Sequence, residues 1–308
     1  MIGGRMGFVG VDTAHSSINR VFPLWAEELG LASGDLRGFD IPLGAADSDY
    51  RDVVARIRDD AGQAGALVTT HKFRIYEAAS DMFDAIDPFA LACGEISSIY
   101  KREGVLGASA KDPITAGAAL EAFLPDDHFA RTGAGVVCLG AGGSGTALSW
   151  YLAHREDRPA SVTITARRQA ALDHLRGVHE RGGLDQSLFR YALLDSDDVV
   201  GSADRIVEAA GEGVVIANAT GMGKDRPGSP LGDDVRYPSG AYVWEFNYRG
   251  SLEFLHQARR RQQERALTVE DGWVYFLHGW TQVIAEVFDV EMTPELFHRL
   301  ALRANSVR

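Results

Sequence analysis

A glycine-rich turn is the feature of this sequence with the clearest chemical meaning. Residues 140–145 read Gly-Ala-Gly-Gly-Ser-Gly, the spacing G-x-G-x-x-G, between an apolar run at 136–139 and a helical pattern. In such a strand–turn–helix unit the glycines let the backbone approach a diphosphate, and the helix N-terminus favours negative charge. A turn that only connects strand to helix would carry the same letters. We predict that this turn binds a dinucleotide through Gly140, Ala141, Gly142, Gly143, Ser144 and Gly145.

The end of the next predicted strand indicates which dinucleotide is bound. A site for NAD(H) places Asp or Glu about 20 residues after the glycines, where it binds the ribose 2′-hydroxyl. Here the strand at 161–165 leads into Ala166, Arg167 and Arg168, with no acid at its tip. Two guanidinium groups suit a 2′-phosphate, and arginine is otherwise unfavourable at a positive helix N-terminus. The pattern therefore favours NADP(H) over NAD(H), the alternative being a solvated pair of arginines.

Two residues in the N-terminal part of the chain could handle a proton. Lys72 follows the apolar strand pattern at 65–69, and Asp112 precedes Pro113 at the start of a helical pattern. Oxidation of a secondary alcohol removes the hydroxyl proton as hydride leaves carbon; a lysine can relay that proton, and a carboxylate can orient the amine. Lys72 and Asp112 are therefore candidates for this proton chemistry. The alternatives are an exposed lysine at a helix start and an ordinary N-cap aspartate.

The elements that would position these residues alternate along the chain. Short runs rich in Val and Ile alternate with amphipathic stretches, which predicts an α/β fold with parallel sheets. A polar segment at 125–133 marks a boundary. We predict an N-terminal α/β substrate domain at 1–122 and a Rossmann-like, doubly wound dinucleotide-binding domain at 123–273. The C-terminal helices, within 274–308, are predicted to pack back on the first domain.

Composition excludes several classes of function. The 308 residues are 45% hydrophobic and 24% charged, which is typical of globular proteins, and the net charge of −12 disfavours nucleic acid as a partner. No run approaches the roughly 20 apolar residues of a membrane span. No apolar leader follows Arg5, so we expect a cytoplasmic protein. We expect the chain to be a monomer or a homodimer.

The cysteines and histidines offer little further chemistry. Cys93 and Cys138 stand in apolar stretches and are expected to be buried small hydrophobes. His15 and His71 lack a third ligand at suitable spacing, so no metal is predicted. A serine hydrolase is disfavoured because no G-x-S-x-G motif is present.

Along nearly the whole chain, the landmarks resemble those of the shikimate dehydrogenase family. The family's His-Ser-x-Ser-Pro turn corresponds to 15–19, with Ser16 at the first serine and Ile18 at the second. Its Asn-Val-Thr-x-Pro-x-Lys motif keeps the lysine at Lys72 but lacks the asparagine and proline. Ser97 stands at a substrate-binding asparagine, and the aspartate of Asn-Thr-Asp is Asp112.

The cofactor half matches this family more closely. Gly-Ala-Gly-Gly recurs at 140–143, and Asn-Ala-Thr recurs as Asn218, Ala219 and Thr220. Tyr248 corresponds to a tyrosine near the nicotinamide. The family's C-terminal substrate glutamine falls at His278 or Gln282.

The resemblance implies an NADP(H)-dependent oxidoreductase that acts on the CH–OH group of a shikimate-like carbocyclic acid, in the shikimate pathway to aromatic amino acids. Quinate, aminoshikimate or a cyclitol are alternative substrates, and a non-catalytic dinucleotide-binding regulatory protein is an alternative class. The resemblance implies that Lys72 and Asp112 are the catalytic residues and lie close together. The substrate-binding residues it implies are Ser16, Ile18, Thr69, Ser97, Tyr248, His278 and Gln282.

Overall fold

The computed structural model describes residues 3–224 and 226–308. Their contacts divide the chain into two compact units. The first unit contains the residues up to Lys111 together with Gly279–Arg308, and the second contains Asp112–His278. In the described part of the chain, no helix combines the length and the apolarity needed to cross a membrane.

The first unit contains a six-stranded mixed sheet with the strand order β2-β1-β3-β5-β6-β4. Strand β5 runs antiparallel to β3 and β6, and the other neighbouring pairs are parallel. The strands are β1 (Arg5–Gly10), β2 (Leu36–Asp40), β3 (Gln63–Val68), β4 (Ala85–Ile86), β5 (Ser98–Arg102) and β6 (Val105–Ser109).

Four helices of the first unit precede Lys111: α1 (Ile18–Leu29), α2 (Asp47–Asp59), α3 (Lys72–Ala79) and α4 (Pro88–Cys93). Helix α2 shows how they pack, because its apolar residues recur three or four positions apart and form one buried face. That face consists of Tyr50, Val53, Val54 and Ile57 and joins the core around Val68.

The C-terminal helix packs back on the first unit, as the sequence predicted. Helix α12 (Pro294–Asn305) begins where Thr293 caps it, with Pro294 in the first turn. It lies against α1, where the indole of Trp25 donates a 2.7 Å hydrogen bond to the carbonyl oxygen of Leu300.

The second unit contains a six-stranded sheet in the order β12-β11-β10-β7-β8-β9, with every neighbouring pair parallel. This is the doubly wound order of a Rossmann fold, so the predicted fold class is confirmed. The strand order reverses between β7 and β10, because β8 and β9 extend the sheet on one side of β7 and β10 to β12 extend it on the other. Ligands of such sheets bind at this switch point. The strands are β7 (Val136–Leu139), β8 (Val162–Ala166), β9 (Phe189–Leu193), β10 (Val215–Asn218), β11 (Tyr242–Glu245) and β12 (Thr268–Glu270).

The helices of this unit are α5 (Asp112–Glu121), α6 (His128–Thr132), α7 (Gly143–His154), α8 (Gln169–Arg181), α9 (Val199–Glu208) and α10 (Glu253–Arg265). Helix α11 (Trp273–Phe288) begins in this unit, and from Gly279 onward it belongs to the first unit. Helix α5 belongs to this unit because Ala116 and Leu120 enter its core and because Gly117 packs against the ring of Tyr151 on α7. The contacts thus divide the chain eleven residues before the predicted boundary at 122, since Lys111 ends the first part. The roles assigned to the two domains stay predictions.

Candidate functional site

The glycine turn between β7 and α7 has the geometry that its spacing predicts. Gly140 has φ +113°, a conformation that L side chains rarely adopt, and a Cβ there would lie 2.7 Å from the carbonyl oxygen of Ala219. A Cβ on Gly145 would overlap the carbonyl of Gly140, so this glycine lets the helix and the turn pack closely. At Gly142, by contrast, no described atom lies within 4 Å of an added Cβ. The open space above Gly142 is where a ligand could approach the backbone.

A cavity of about 520 Å³ opens at this turn. It lies at the carboxyl ends of β7, β8 and β10, next to the switch point of the sheet. Its volume is in the range of cofactor and ligand sites. The lining includes the backbone of the turn, the tip of β8 and the segment after β10, namely Gly140, Ala141, Gly142, Ala166, Arg167, Arg168, Ala219, Thr220, Met222 and Arg226.

Arginines give the cavity a positive end. Arg167 and Arg168 follow β8 directly and are exposed, and Arg168 occupies the N-cap position of α8. Arg226 adds a third guanidinium from the segment after β10. Of the described residues that line the cavity, none is acidic. This charge distribution suits an anionic ligand, and it fits a 2′-phosphate better than a bare ribose hydroxyl. Sequence reasoning missed Arg226, because nothing in its loop marks it as facing the turn.

The Asn218-Ala219-Thr220 segment forms a polar network behind the cavity wall. The Asn218 side-chain oxygen accepts hydrogen bonds from the backbone N–H and the hydroxyl of Thr220, at 3.1 and 2.6 Å. The Asn218 amide nitrogen donates to Glu245, at 2.7 Å, on the neighbouring strand β11. Burial raises the pKa of Glu245 to about 7, although hydrogen bonds from Asn247 and Asn218 lower it. The network therefore holds a carboxyl group that titrates near neutral pH.

In the first unit, the predicted substrate residues follow the carboxyl ends of β1 and β3. Ser16 is half-buried just before α1, whereas Ile18 is fully buried and its side chain lies in the core. Thr69 is half-buried and its hydroxyl donates to the carbonyl of Val9 at 3.3 Å. Lys72 is the first residue of α3 and is half-buried. The isoleucine cannot supply the hydrogen bond that a serine would give to a carboxylate.

The segment 109–111, which leads into Asp112, is held at several points. The Ser97 hydroxyl accepts the backbone N–H of Lys111 at 2.8 Å, and Asp87 accepts that of Ala110 at 2.7 Å. Glu286 on α11 accepts the hydroxyl of Ser109 and pairs with the ammonium of Lys111, both at 2.5 Å. Ser97 thus uses one of the two acceptor positions of its hydroxyl within the protein.

Helix α11 carries the two candidates for the C-terminal substrate residue. His278 and Gln282 stand four positions apart, so they share one face of the helix. Burial lowers the pKa of His278 to about 4, which keeps its imidazole neutral at physiological pH. Tyr248 lies outside this helix and is half-buried. The centroid of its ring lies 4.4 Å from that of Phe276, which is on α11.

The remaining candidates resolve as structural residues. His71 is buried, its Nε2 lies 2.8 Å from the carbonyl oxygen of Ile41, and its Nδ1 lies 3.4 Å from the Tyr50 hydroxyl. His15 is exposed and pairs with Asp12. Both cysteines are buried with free thiols, as predicted. Lys72 belongs to the first unit and Asp112 begins the second, so the catalytic pairing of the two stays a prediction.

Comparison with known proteins gives a clear result for the fold. No family model and no curated protein sequence matches the chain. Shikimate 5-dehydrogenase from Thermus thermophilus, solved in complex with NADP(H) and shikimate, is 23% identical with a TM-score of 0.70, over 98% of this chain and 99% of that one. Quinate dehydrogenase from Corynebacterium glutamicum, in complex with NAD, is 17% identical with a TM-score of 0.72, over 99% of each chain.

A third similar structure is shikimate 5-dehydrogenase from Listeria monocytogenes, in complex with shikimate and NAD. It is 18% identical with a TM-score of 0.71, over 97% of this chain and 95% of that one. These similarities extend over essentially the full length of both partners rather than over the dinucleotide-binding part alone. The chain therefore has the fold of the shikimate and quinate dehydrogenase structures.

Proposed function

We propose that this chain is an NADP(H)-dependent oxidoreductase of the shikimate dehydrogenase family, which interconverts a secondary alcohol and a ketone on a hydroxylated carbocyclic acid. The observation that carries the proposal is the cavity at the glycine turn. Open space above Gly142, arginines at the tip of β8 and the absence of acids from its described lining together fit NADP(H). The full-length likeness to dehydrogenases, some solved with NADP(H) and some with NAD, supports the class.

In this proposal the second unit binds the cofactor. Backbone N–H groups at the start of α7 bind the diphosphate, and the favourable end of the helix dipole adds to that attraction. Arg167 and Arg168 bind the 2′-phosphate, and Arg226 adds positive charge to the same cavity. When bound in this way, the cofactor would supply the hydride acceptor, and side chains of the protein would handle the hydroxyl proton.

Lys72 and Asp112 are proposed to carry the proton chemistry. As the carbinol carbon is oxidised, the hydroxyl proton passes to the amine of Lys72, and Asp112 orients that amine. The segment 109–111 supports this role, because its position immediately before Asp112 is fixed. Ser97 and Asp87 accept backbone N–H groups of this segment, and Glu286 binds the side chains of Ser109 and Lys111. A catalytic carboxylate is effective only when its position is fixed in this way.

The substrate is proposed to be shikimate or a related ring. Ser16, Thr69 and Gln282 retain polar groups, and a neutral His278 can donate or accept a hydrogen bond. The buried Ile18 removes one polar contact that the resemblance implies, so quinate, aminoshikimate and cyclitols are tested beside shikimate.

The experiment is a panel assay with the purified chain. Shikimate, quinate, aminoshikimate and a cyclitol are each offered with NADP⁺ and with NAD⁺, and formation of the reduced nicotinamide is followed by absorbance. We expect turnover of at least one ring alcohol, with a higher kcat/KM for NADP⁺. Tight binding of NADP⁺ without turnover of any compound would instead support the non-catalytic regulatory class.

A further inference from the structure

A buried carboxyl group stands behind the cavity wall without touching the cavity itself. Glu245 is the last residue of β11, and none of its surface is exposed. Its Oε1 accepts hydrogen bonds from the backbone N–H and the side-chain amide of Asn247, at 2.8 and 2.6 Å. Its Oε2 accepts one from the side-chain amide of Asn218, at 2.7 Å. Three donors therefore converge on this one carboxyl group.

The same two amides hold the cavity wall. The side-chain nitrogens of Asn218 and Asn247 also donate to the carbonyl oxygen of Met222, at 3.3 and 2.9 Å. With its nitrogen directed at Glu245, Asn218 presents its oxygen to Thr220. Thr220 in turn accepts the backbone N–H of Met222 at 3.1 Å. The orientation of both amides, and through them the path of 219–222, depends on an acceptor at Glu245.

We propose that Glu245 is a positioning residue of the dinucleotide site. Its ionised carboxylate fixes the amides of Asn218 and Asn247, and these fix the part of the wall formed by Ala219, Thr220 and Met222. The inference rests on the proposed function, because it assigns Glu245 to the binding of the same cofactor. Its consequence is that protonation of one buried group weakens cofactor binding.

The surroundings of Glu245 place this protonation near neutral pH. Burial raises its pKa, and the nearby carboxylate of Asp271, just before α11, raises it further. Two further acidic residues lie on neighbouring elements. Glu270 on β12 pairs with Trp244 in the sheet, and Glu253 on α10 accepts the backbone N–H of Gly228. A protonated Glu245 places an O–H donor among three N–H donors and loses the charge that strengthens their hydrogen bonds, so the hold on the amides weakens and the wall loosens.

The test measures the binding of NAD⁺ and NADP⁺ by calorimetry as a function of pH. NAD⁺ is the decisive ligand because it lacks the 2′-phosphate, whose own second pKa is near 6. For the wild-type chain we expect affinity for NAD⁺ to fall by up to roughly tenfold from about pH 8 to about pH 6. The tenfold limit applies when only the chain with ionised Glu245 binds NAD⁺. Glu245→Gln keeps the volume but loses the charge, so it is expected to bind weakly at every pH, with a flat profile.

Glu264→Gln is the matched control, since Glu264 is an exposed glutamate of the same unit, on α10. It should keep the wild-type profile. Equal pH profiles in the wild type and in Glu245→Gln would overturn this inference while leaving the proposed function intact. Absence of binding by either dinucleotide at every pH would overturn both. If Glu245→Gln does not fold, the wild-type profile with NAD⁺ decides, because a flat profile contradicts the proposal.

Discussion

The candidate sites of the two units lie at the carboxyl ends of their strands, and they differ in whether backbone or side chains form them. In the second unit, the cavity is shaped by backbone: glycines at 140, 142 and 145, and the close approach of Gly140 to Ala219. In the first unit, the corresponding edge of the sheet presents side chains that bind the backbone and one another. Ser97 accepts the backbone N–H of Lys111, and Glu286 accepts the hydroxyl of Ser109. A backbone site tolerates few changes without altering the fold, whereas a side-chain site can change its ligand one residue at a time.

The two sites also rest on different kinds of observation. The cofactor site is supported by the strand order and by the shape and charge of the cavity. The substrate site depends on single residues, of which Ile18 is fully buried while Lys72 is half-buried. Loss of the proposed catalytic amine in the side-chain site should reduce turnover more than any change in the backbone site reduces cofactor binding.

Lys72→Ala is expected to have the largest effect. Loss of the amine removes the group that accepts the hydroxyl proton, so kcat should fall by about 10²–10⁴-fold. Affinity for NADP⁺ should stay nearly unchanged, because the cofactor cavity lies in the second unit. Steady-state kinetics and calorimetry measure the two effects separately.

The control for that variant is Arg74→Ala on the same helix, where Arg74 forms partly exposed ion pairs with Asp47 and Glu77. It should retain kcat. Undiminished turnover in Lys72→Ala would remove this lysine from the mechanism and leave the first unit without an assigned catalytic group.

Arg167→Ala tests the charged end of the backbone site. Removal of one guanidinium from a charge-assisted contact should weaken NADP⁺ binding by roughly 10–100-fold, which corresponds to about 1.5–3 kcal/mol. Affinity for NAD⁺ should hardly change. Arg190→Ala, an exposed arginine on β9, provides the comparison. An unchanged preference for NADP⁺ in Arg167→Ala would show that the tip of β8 does not read the phosphate.

Gly142→Ala separates ligand binding from folding. No described atom lies within 4 Å of the added Cβ, so the melting temperature should stay the same, while the methyl group obstructs the approach of the diphosphate. We expect roughly tenfold weaker binding of both dinucleotides, equivalent to about 1.4 kcal/mol. Gly211→Ala has the same open surroundings and should bind normally. Equal affinities in these two variants would argue against the turn as the diphosphate site.

The last prediction concerns the stability of the cofactor-free chain, to which Glu245 contributes. Its folded-state pKa of about 7 exceeds its ordinary value of 4.5, so the folded state binds more protons than the unfolded state between these pH values. Its contribution to stability therefore falls as pH rises through this window, by up to roughly 3 kcal/mol, and is constant above it. Denaturant unfolding gives the free energy of unfolding of the wild type and of Glu245→Gln at each pH. The difference between the two free energies, plotted against pH, isolates the contribution of Glu245. A difference that is independent of pH would contradict the raised pKa.

The sequence predicted most of the second unit because its signals are local. The strand at 136–139 is predicted to the residue, and the glycine turn and the arginines of β8 lie where the pattern places them. Strand β12 was missed because it is short and only half-buried, within a stretch that reads as helical. In the first unit, β2 was missed because this edge strand carries polar residues between its apolar ones.

The site residues that escaped sequence reasoning depend on contacts between distant segments. Arg226 reaches the cavity from a loop that carries no helical or strand pattern. Glu286 holds Ser109 and Lys111 across more than half of the chain, and no spacing along α11 indicates this contact. Such pairings follow from the packing of the sheet and the helices, which local periodicity does not encode.

The most direct test of the central claim is a crystal structure of the chain grown with NADP⁺. We expect the diphosphate to lie against the backbone of 142–145 and the 2′-phosphate to lie between the guanidinium groups of Arg167 and Arg168. A dinucleotide seated elsewhere, or a 2′-phosphate directed away from both arginines, would contradict it.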